Sequence, residues 1–446
     1  MSQTVDLLIE ARWVLPIVPA NTVLDGHAIA VTDGRIVAVG PAEEMNARFE
    51  PRERSIRATH AVLPGFVNAH TQAAMTLLRG LPVRGPRAKW LRETLRSVES
   101  RVIGPDFVRD GTQLAVAEML RSGITSFADA SALPEEAARV AASVRIRAAI
   151  GLPVADEPNA WAEDATAHFA KAERLWDEYK ANPWVSLYFA PREAAEVRDE
   201  TLLRLRRVAD ELDARVAMSV SAGGLASRDQ QGTPLWVLED LGLLRPGFVA
   251  IHPADLRDAD LEVVARTGIS IVACTQSDLR LGSGRSPLQR LVAQQVPVGL
   301  GTGDPVSAGA LDMFAEARAT ALANNGMGGY AERISSHEVL RMATSGGATA
   351  MGIGALAGSI EAGKAADLIC VDLGELPCQQ PAARVSSAGT AESVADAILY
   401  AATRKQVSDV WASGRALVAG GKLLVLDEER LLATAARWAQ RLGDLS

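Results

Sequence analysis

The chain has 446 residues, of which 48% are apolar and 22% are charged, and its formal net charge is −8. This composition can bury a large core and excludes a disordered chain. The mixture of 46 basic and 54 acidic side chains gives no basic stripe for nucleic acid or an anionic membrane, so we expect neither as a partner.

The amino-terminal segment MSQTVDLLIEARWVLPIVPA has no basic start and no cleavage site, and Glu10 and Arg12 interrupt its apolar stretch. No other segment is apolar for the roughly 18 residues that a membrane-spanning helix needs. The cysteines are too few and too scattered for a disulfide framework or a cysteine-based zinc site; they are Cys274, Cys370 and Cys378. We therefore expect a soluble, cytoplasmic protein.

Short β-type runs separated by turn residues occur at both ends of the chain. Near the amino end they cover residues 5–9, 27–31 and 35–39, and Asp33-Gly34 is a hairpin signal between the last two. Near the carboxyl end they cover residues 366–371, 407–411 and 415–418, followed by a helical pattern over residues 427–442. The two ends therefore predict one composite β-sandwich domain, built from residues 1–62 and 355–446.

Between residues 63 and 354 short apolar runs alternate with longer helical patterns, which is typical of βαβ units. Helical patterns cover residues 107–122, 160–181, 199–212 and 258–266. The predicted strands cover residues 62–67, 124–127, 146–150, 185–189, 216–220, 249–251, 269–272 and 298–300. Eight such units predict an α/β fold of the (β/α)8 TIM-barrel type, in which the chemistry lies on the loops that follow the strands.

Several motifs resemble those of amidohydrolases in the group of triazine hydrolases and S-adenosylhomocysteine/methylthioadenosine deaminases. They are LPGFVNAH at 63–70, MTLLRG at 75–80, FVRDGT at 107–112, GIT at 123–125, LRLGSG at 279–284 and GSIEAGKAADL at 358–368. The resemblance spans nearly the whole chain. It implies a composite β-sandwich with a barrel, one zinc or iron ion and a homodimer.

In the family, the metal is held by a His-x-His pair after strand 1, by a His after each of strands 5 and 6, and by an Asp after strand 8. Only His70 and His252 match those ligands here. The second His of the pair is Gln72, the strand 5 ligand position is Ser219 and the strand 8 position is Gly303, with Asp304 one residue late. A one-residue step turns a side chain to the other face of a strand.

Two further groups of the family chemistry are replaced. Ala222 stands where the proton-shuttling Glu belongs, and Ala273 where a His contacts the attacking water. The loop after strand 4 carries Arg192 in place of a His. We expect these positions and their neighbours to line a pocket: Gln72, Trp90, Arg192, Ser219, Ser221, Ala273, Asp278 and Gly303.

These losses favour a non-hydrolytic relative, a pseudoenzyme that binds a small molecule or a partner and holds little or no metal. One alternative is an active hydrolase or deaminase acting on a non-peptide carbon–nitrogen bond of a cyclic amidine or aminopurine, through a rearranged site of His70, His252 and Asp304. Another is metal-free acid–base catalysis by the same three residues. The two histidines are otherwise relics, hydrogen-bonded to the backbone or to Gln72 and Asp304.

Overall fold

A computed structural model describes residues 2–84, 87–220, 235–254, 256–326, 333–374 and 387–443. Its strands form two sheets. In chain order they are β1 (Gln3–Val14), β2 (Leu24–Thr32), β3 (Arg35–Pro41), β4 (Phe49–Pro64), β5 (Phe66–Thr71), β6 (Ile124–Asp129), β7 (Arg147–Val154), β8 (Val185–Pro191), β9 (Val216–Ser219), β10 (Phe248–Ile251), β11 (Ser270–Ala273), β12 (Val298–Leu300), β13 (Leu368–Asp372), β14 (Val407–Ala412), β15 (Arg415–Ala419) and β16 (Lys422–Leu423).

The strands β5 to β12 form the barrel, in chain order and parallel wherever neighbouring strands pair. A parallel bridge between Thr71 and Gly303 joins the end of the first strand to the loop after the last and closes the sheet on itself. Most residues of these strands are buried, as expected of parallel strands covered by helices. The fold is the TIM-type barrel that the sequence predicts.

The second sheet combines both ends of the chain, in the order β16-β15-β14-β13-β4-β1-β2-β3. The sheet curves back on itself around a shared apolar core. Ile36 of β3, at one end of this order, belongs to the same apolar cluster as Trp411 of β14, near the other end. The predicted turn at Asp33-Gly34 is present, and both residues have positive φ angles of 49° and 73°. This combination suits a tight hairpin turn.

The α-helices surround the barrel or cover the second sheet. They are Ala42–Arg48, Arg87–Trp90, Arg96–Val102, Pro105–Arg121, Pro134–Val144, Ala165–Tyr179, Asp199–Glu211, Trp236–Asp240, Asp258–Thr267, Thr275–Arg280, Leu288–Ala293, Pro305–Ala308, Met313–Asn325, Ser336–Arg341, Gly347–Ala350, Ser387–Asp396 and Glu428–Gly443. Short 3-10 segments cover Ala73–Leu78, Ala194–Glu196 and Arg404–Gln406, and π-helical segments cover Leu91–Leu95, Met342–Gly346 and Ala397–Ala401. Among the described residues, no helix has both the length and the apolar character required to cross a bilayer.

The first barrel strand lies further along the chain than predicted. Residues 62–64 were assigned to it from their apolar character, but they form the end of β4 and pair with β13, with Val62 opposite Cys370 and Pro64 opposite Leu368. The barrel strand begins at Phe66. A continuous apolar run carries no signal of the point at which the chain passes from one sheet to the next.

Candidate functional site

A cavity of about 430 Å³ lies at the carboxyl ends of the barrel strands. Its floor includes His70 at the end of β5, Ser219 at the end of β9 and His252 directly after β10. In TIM barrels this end carries the chemistry, and cavities of this size suit small-molecule ligands. The loop that follows β9 continues into residues 221–234, which include the predicted Ser221 and Ala222 and lie outside the described residues.

His252 is paired with a carboxylate from the next loop. Its Nδ1 lies 2.7 Å from Oδ1 of Asp278, and both side chains are almost fully buried. Asp278 belongs to the short helix Thr275–Arg280 that follows β11, and its backbone N–H donates to the carbonyl of Cys274. A carboxylate can only accept, so Nδ1 of His252 donates, and in the neutral imidazole Nε2 is then an acceptor. The sequence interpretation named the backbone, Gln72 and Asp304 as partners of the histidines and did not predict the bond to Asp278.

The two histidines lie next to each other. The ring of His70 is centred 5.7 Å from the ring of His252, and the two planes meet at 87°. The backbone carbonyl of His70 accepts a hydrogen bond from the N–H of Gly303, which ties the end of β5 to the loop after β12. Motif positions on separate strands are therefore brought together as the barrel fold requires.

Asp304 is a helix N-cap, a role that was not predicted from the sequence. Its Oδ1 accepts hydrogen bonds from the backbone N–H groups of Val306 (2.9 Å) and Ser307 (2.8 Å), and its Oδ2 accepts from the hydroxyl of Ser307. These bonds cap the helix Pro305–Ala308. The carboxylate lines the cavity, but both of its oxygens are engaged by the helix that it begins. This does not favour Asp304 as a replacement metal ligand.

Among the described residues, the donor set is smaller than the five-ligand metal centre that the family resemblance implies. A carboxylate behind a histidine, as in the His252–Asp278 pair, is also how metal-binding histidines are oriented. Zinc sites in proteins, however, use at least three protein ligands. Among the described residues, no group of three or more His, Cys, Asp or Glu side chains is placed to hold an ion.

The remaining predicted positions divide between the cavity wall and the layer behind it. Gln72, Arg192 and Ser219 line the cavity, and the buried hydroxyl of Ser219 has no hydrogen-bond partner among the described residues. Trp90 is buried instead, with its indole N–H donating to the carbonyl of Pro82. The others that do not line the cavity are Ala273, Asp278 and Gly303.

Two acidic side chains pair with arginines in the wall of the cavity. Glu99 is buried and forms an ion pair with Arg192 at 3.2 Å, and Glu196 pairs with Arg96. All four line the cavity. The wall therefore presents paired charges to a ligand, and Arg192 is not an isolated cation. In the sequence, Trp90-Leu91 followed by Glu99 resembles the family's pocket-covering helical segment, but the pairing of Glu99 with Arg192 was not predicted.

The barrel strand that pairs with β5 ends in a buried carboxyl group. Oδ1 of Asp129, at the end of β6, accepts a hydrogen bond of 2.7 Å from the backbone N–H of Ala73. Burial raises the pKa of Asp129 from 3.8 to about 6, and hydrogen bonds from Ala73 and Ser131 only partly oppose this. The hydroxyl of Tyr188 donates to the backbone carbonyl of Asp129.

Comparison with known proteins agrees with this architecture. Residues 61–417 match the sequence pattern of the amidohydrolase family, and residues 28–49 match that of the bacterial imidazolonepropionase-like composite domain. The chain is 34% identical over 444 residues to a 5-methylthioadenosine/S-adenosylhomocysteine deaminase of Teredinibacter turnerae, covering 99% of this chain and 98% of the relative. It is 31% identical to the deaminase of the same name from Saccharophagus degradans, covering 98% of this chain and 97% of the relative.

Solved structures give the same picture. An adenosine deaminase from Xanthomonas campestris with bound zinc superposes with a TM-score of 0.95 and 39% identity over 100% of both chains. The atrazine chlorohydrolase of Arthrobacter aurescens TC1, complexed with zinc, superposes with a TM-score of 0.86 over 97% of this chain and 99% of its own. Its identity is 22%, so that similarity concerns the fold alone.

Proposed function

Because the chain belongs to the amidohydrolase family, we propose that it hydrolyses a non-peptide carbon–nitrogen bond of an aminopurine nucleoside of the methylthioadenosine or S-adenosylhomocysteine type. The names of the relatives support this substrate class. The volume of the cavity and its polar wall, with Glu99 and Arg192, are compatible with a ligand of that size. The observation that carries the proposal is the buried pair of His252 and Asp278 at the cavity floor.

In the proposed step the pair acts on water. Asp278 accepts from Nδ1–H of His252, so Nε2 can take a proton from a water molecule bound between the imidazole and the ligand. The water oxygen bonds to the ring carbon that carries the amino group. Collapse of this adduct then breaks the carbon–nitrogen bond, and the proton held by His252 leaves with the amine as ammonia. Activation through the pair would replace the family's five-ligand metal centre.

A second candidate is binding of the same ligand without turnover. This candidate is favoured by the side chains at the other positions of the family site. Gln72 has an amide, Ser219 a hydroxyl and Ala273 a methyl group, and the fourth position is Gly303. None of these can act as a general base at neutral pH. On this reading the histidine pair only orients a bound nucleoside.

The test measures ammonia release from S-adenosylhomocysteine and methylthioadenosine, ligand affinity and zinc content on one preparation. We expect turnover with well below one zinc ion per chain. Asp278→Asn should lower kcat by about 100-fold or more, the usual scale of general-base catalysis, while changing Kd little. Asp106→Asn, which alters an exposed carboxylate, is the matched control.

The outcomes separate the candidates. Saturable binding without ammonia would support the binding protein. Ammonia release that follows zinc content and is unaffected by Asp278→Asn would rule out water activation by the pair. If neither nucleoside binds, the substrate class is wrong.

A further inference from the structure

A second cavity, of about 350 Å³, opens at the amino-terminal end of the barrel, opposite the site described above. The interior of a TIM barrel is normally filled by layers of bulky side chains. Here four strands contribute alanine to the lining of the void: Ala69, Ala128, Ala149 and Ala217. These side chains are too short to fill the interior, and the space is left open.

The rim of this amino-terminal cavity includes Arg215, whose positive charge has few partners among the described residues. Arg215, just before β9, has a single hydrogen bond among the described residues, from Nη1 to the carbonyl of Ala350 at 3.5 Å, which is long. Asp213 lines the same cavity and attracts the guanidinium, but none of the ion pairs among the described residues includes Arg215. A guanidinium carries five N–H donors, and the described protein groups accept from only one of its nitrogens. Burial lowers the pKa of Arg215, and attraction to Asp213 opposes this only in part.

The backbone opposite is shaped to receive this side chain. Gly352 has φ of +79°, and a Cβ at that position would lie 2.2 Å from Nε of Arg215. Any other residue would therefore both strain the backbone and displace the guanidinium. The arginine is held at the cavity by the fold rather than extended into solvent.

We propose that the amino-terminal cavity binds a small molecule with an apolar body and one carboxylate. The apolar body lies against the alanine side chains, and the carboxylate pairs with Arg215. The planar guanidinium matches a carboxylate in a two-bond geometry, and the pairing offsets the cost of holding a half-buried cation. This site does not depend on the function proposed for the carboxyl-terminal end.

The two cavities have a common wall. Tyr188 and Ala217 line both of them, and the hydroxyl of Tyr188 is fixed by its bond to the carbonyl of Asp129. The tyrosine ring thus lies between the two chambers. A ligand in one chamber should not compete directly with a ligand in the other.

The probe is hexanoate, compared by calorimetric titration with hexanol, which lacks the charge, and acetate, which lacks the chain. We expect saturable binding of hexanoate and much weaker binding of the other two. Arg215→Met should weaken hexanoate binding at least about tenfold, the loss expected when a charge-assisted pair is removed. Arg207→Met, which alters an exposed arginine on the helix Asp199–Glu211, should leave it unchanged.

A second variant and a structure locate the site. Ala149→Leu fills the apolar end and should abolish hexanoate binding without weakening nucleoside binding at the other cavity. In crystals soaked with 6-bromohexanoate, the bromine should appear among the alanines. Failure of hexanoate to bind the unmodified protein, equal binding by Arg215→Met, or bromine in the carboxyl-terminal cavity would each overturn the proposal.

Discussion

The imidazole of His252 is buried, and the backbone of this residue is in the left-handed region, with φ of +55°. For a residue with a Cβ this conformation costs about 1–2 kcal/mol. The hydrogen bond of its N–H to the carbonyl of Val272 and the contact of its ring with Asp278 help to hold it there. Strain of this kind concentrates at functional sites, where the surrounding structure over-determines one geometry.

The positions of the two histidines could be predicted from the sequence, but the partner of His252 could not. Both histidines follow predicted barrel strands, and the carboxyl ends of parallel strands meet at one face. Asp278 was predicted to lie near the pocket for the same reason. Asp278 pairs with His252 because the helix Thr275–Arg280 directs the Asp278 side chain toward the neighbouring strand. The spacing of residues in the sequence does not show which way a side chain on that helix points.

Asp129 makes the stability of the protein depend on pH. Well below pH 3.8 the carboxyl is protonated in both states. Between its unfolded pKa, near 3.8, and its folded pKa of about 6, the unfolded chain loses the proton while the folded chain keeps it, so the free energy of unfolding falls as pH rises. We expect Asp129→Asn, which cannot ionise but can still accept from Ala73, to remove on the order of 3 kcal/mol of this decline.

Urea denaturation at pH 4, 5, 6 and 7 checks the prediction, with Asp106→Asn as the exposed control. Parallel pH profiles for unmodified protein and Asp129→Asn would show that Asp129 does not carry the effect.

At the scale of elements, most of the strands and helices follow from the sequence. The helix predicted at 199–212 is Asp199–Glu211, and that predicted at 258–266 is Asp258–Thr267. The boundary between β4 and β5 did not follow, because the two strands are separated by one residue within a single apolar run. Short helices inside loops, such as Pro305–Ala308, are set by caps and tertiary contacts and were not predicted.

Substitutions of Asp304 distinguish a helix N-cap from a metal ligand. Asn is as good an N-cap as Asp, whereas Ala is not, so Asp304→Ala should cost about 1 kcal/mol of stability and Asp304→Asn much less. Neither should change zinc content. Asp312, which caps the helix Met313–Asn325 through the N–H groups of Phe314 and Ala315, provides the matched pair Asp312→Ala and Asp312→Asn.

Thermal or chemical denaturation and elemental analysis give the two readouts. A loss of bound zinc in both Asp304 variants, with no such loss in the Asp312 pair, would identify Asp304 as a ligand.

At the scale of the whole molecule, a buried ion pair joins the barrel to the composite sheet. Arg147, the first residue of β7, binds Asp367 through Nε at 2.8 Å and Nη2 at 3.1 Å, and Nη2 also donates to the hydroxyl of Ser413. Asp367 further accepts from the N–H of Ser413. The side chains are 7% and 2% exposed, so water cannot compensate for the loss of either partner.

We expect Arg147→Met to lower the free energy of unfolding by about 3–5 kcal/mol, because it leaves Asp367 buried without a counter-charge. The double variant Arg147→Met/Asp367→Leu should recover part of that loss. Arg109→Met, at an exposed ion pair, should change stability by less than about 1 kcal/mol. Equal destabilisation of the single and double variants in urea denaturation would show that the stranded charge is not the cause.

The order of the composite sheet has a consequence for synthesis on the ribosome. Strand β4 lies inside the finished sheet, yet its neighbour β13 is translated only after the entire barrel. Until Leu368–Asp372 leaves the exit tunnel, the nascent chain carries β4 with one row of backbone N–H and C=O groups open. Such an edge is a template for pairing with another chain. Pairing of Leu368–Asp372 with β4 therefore closes that edge and removes the template for pairing with another chain.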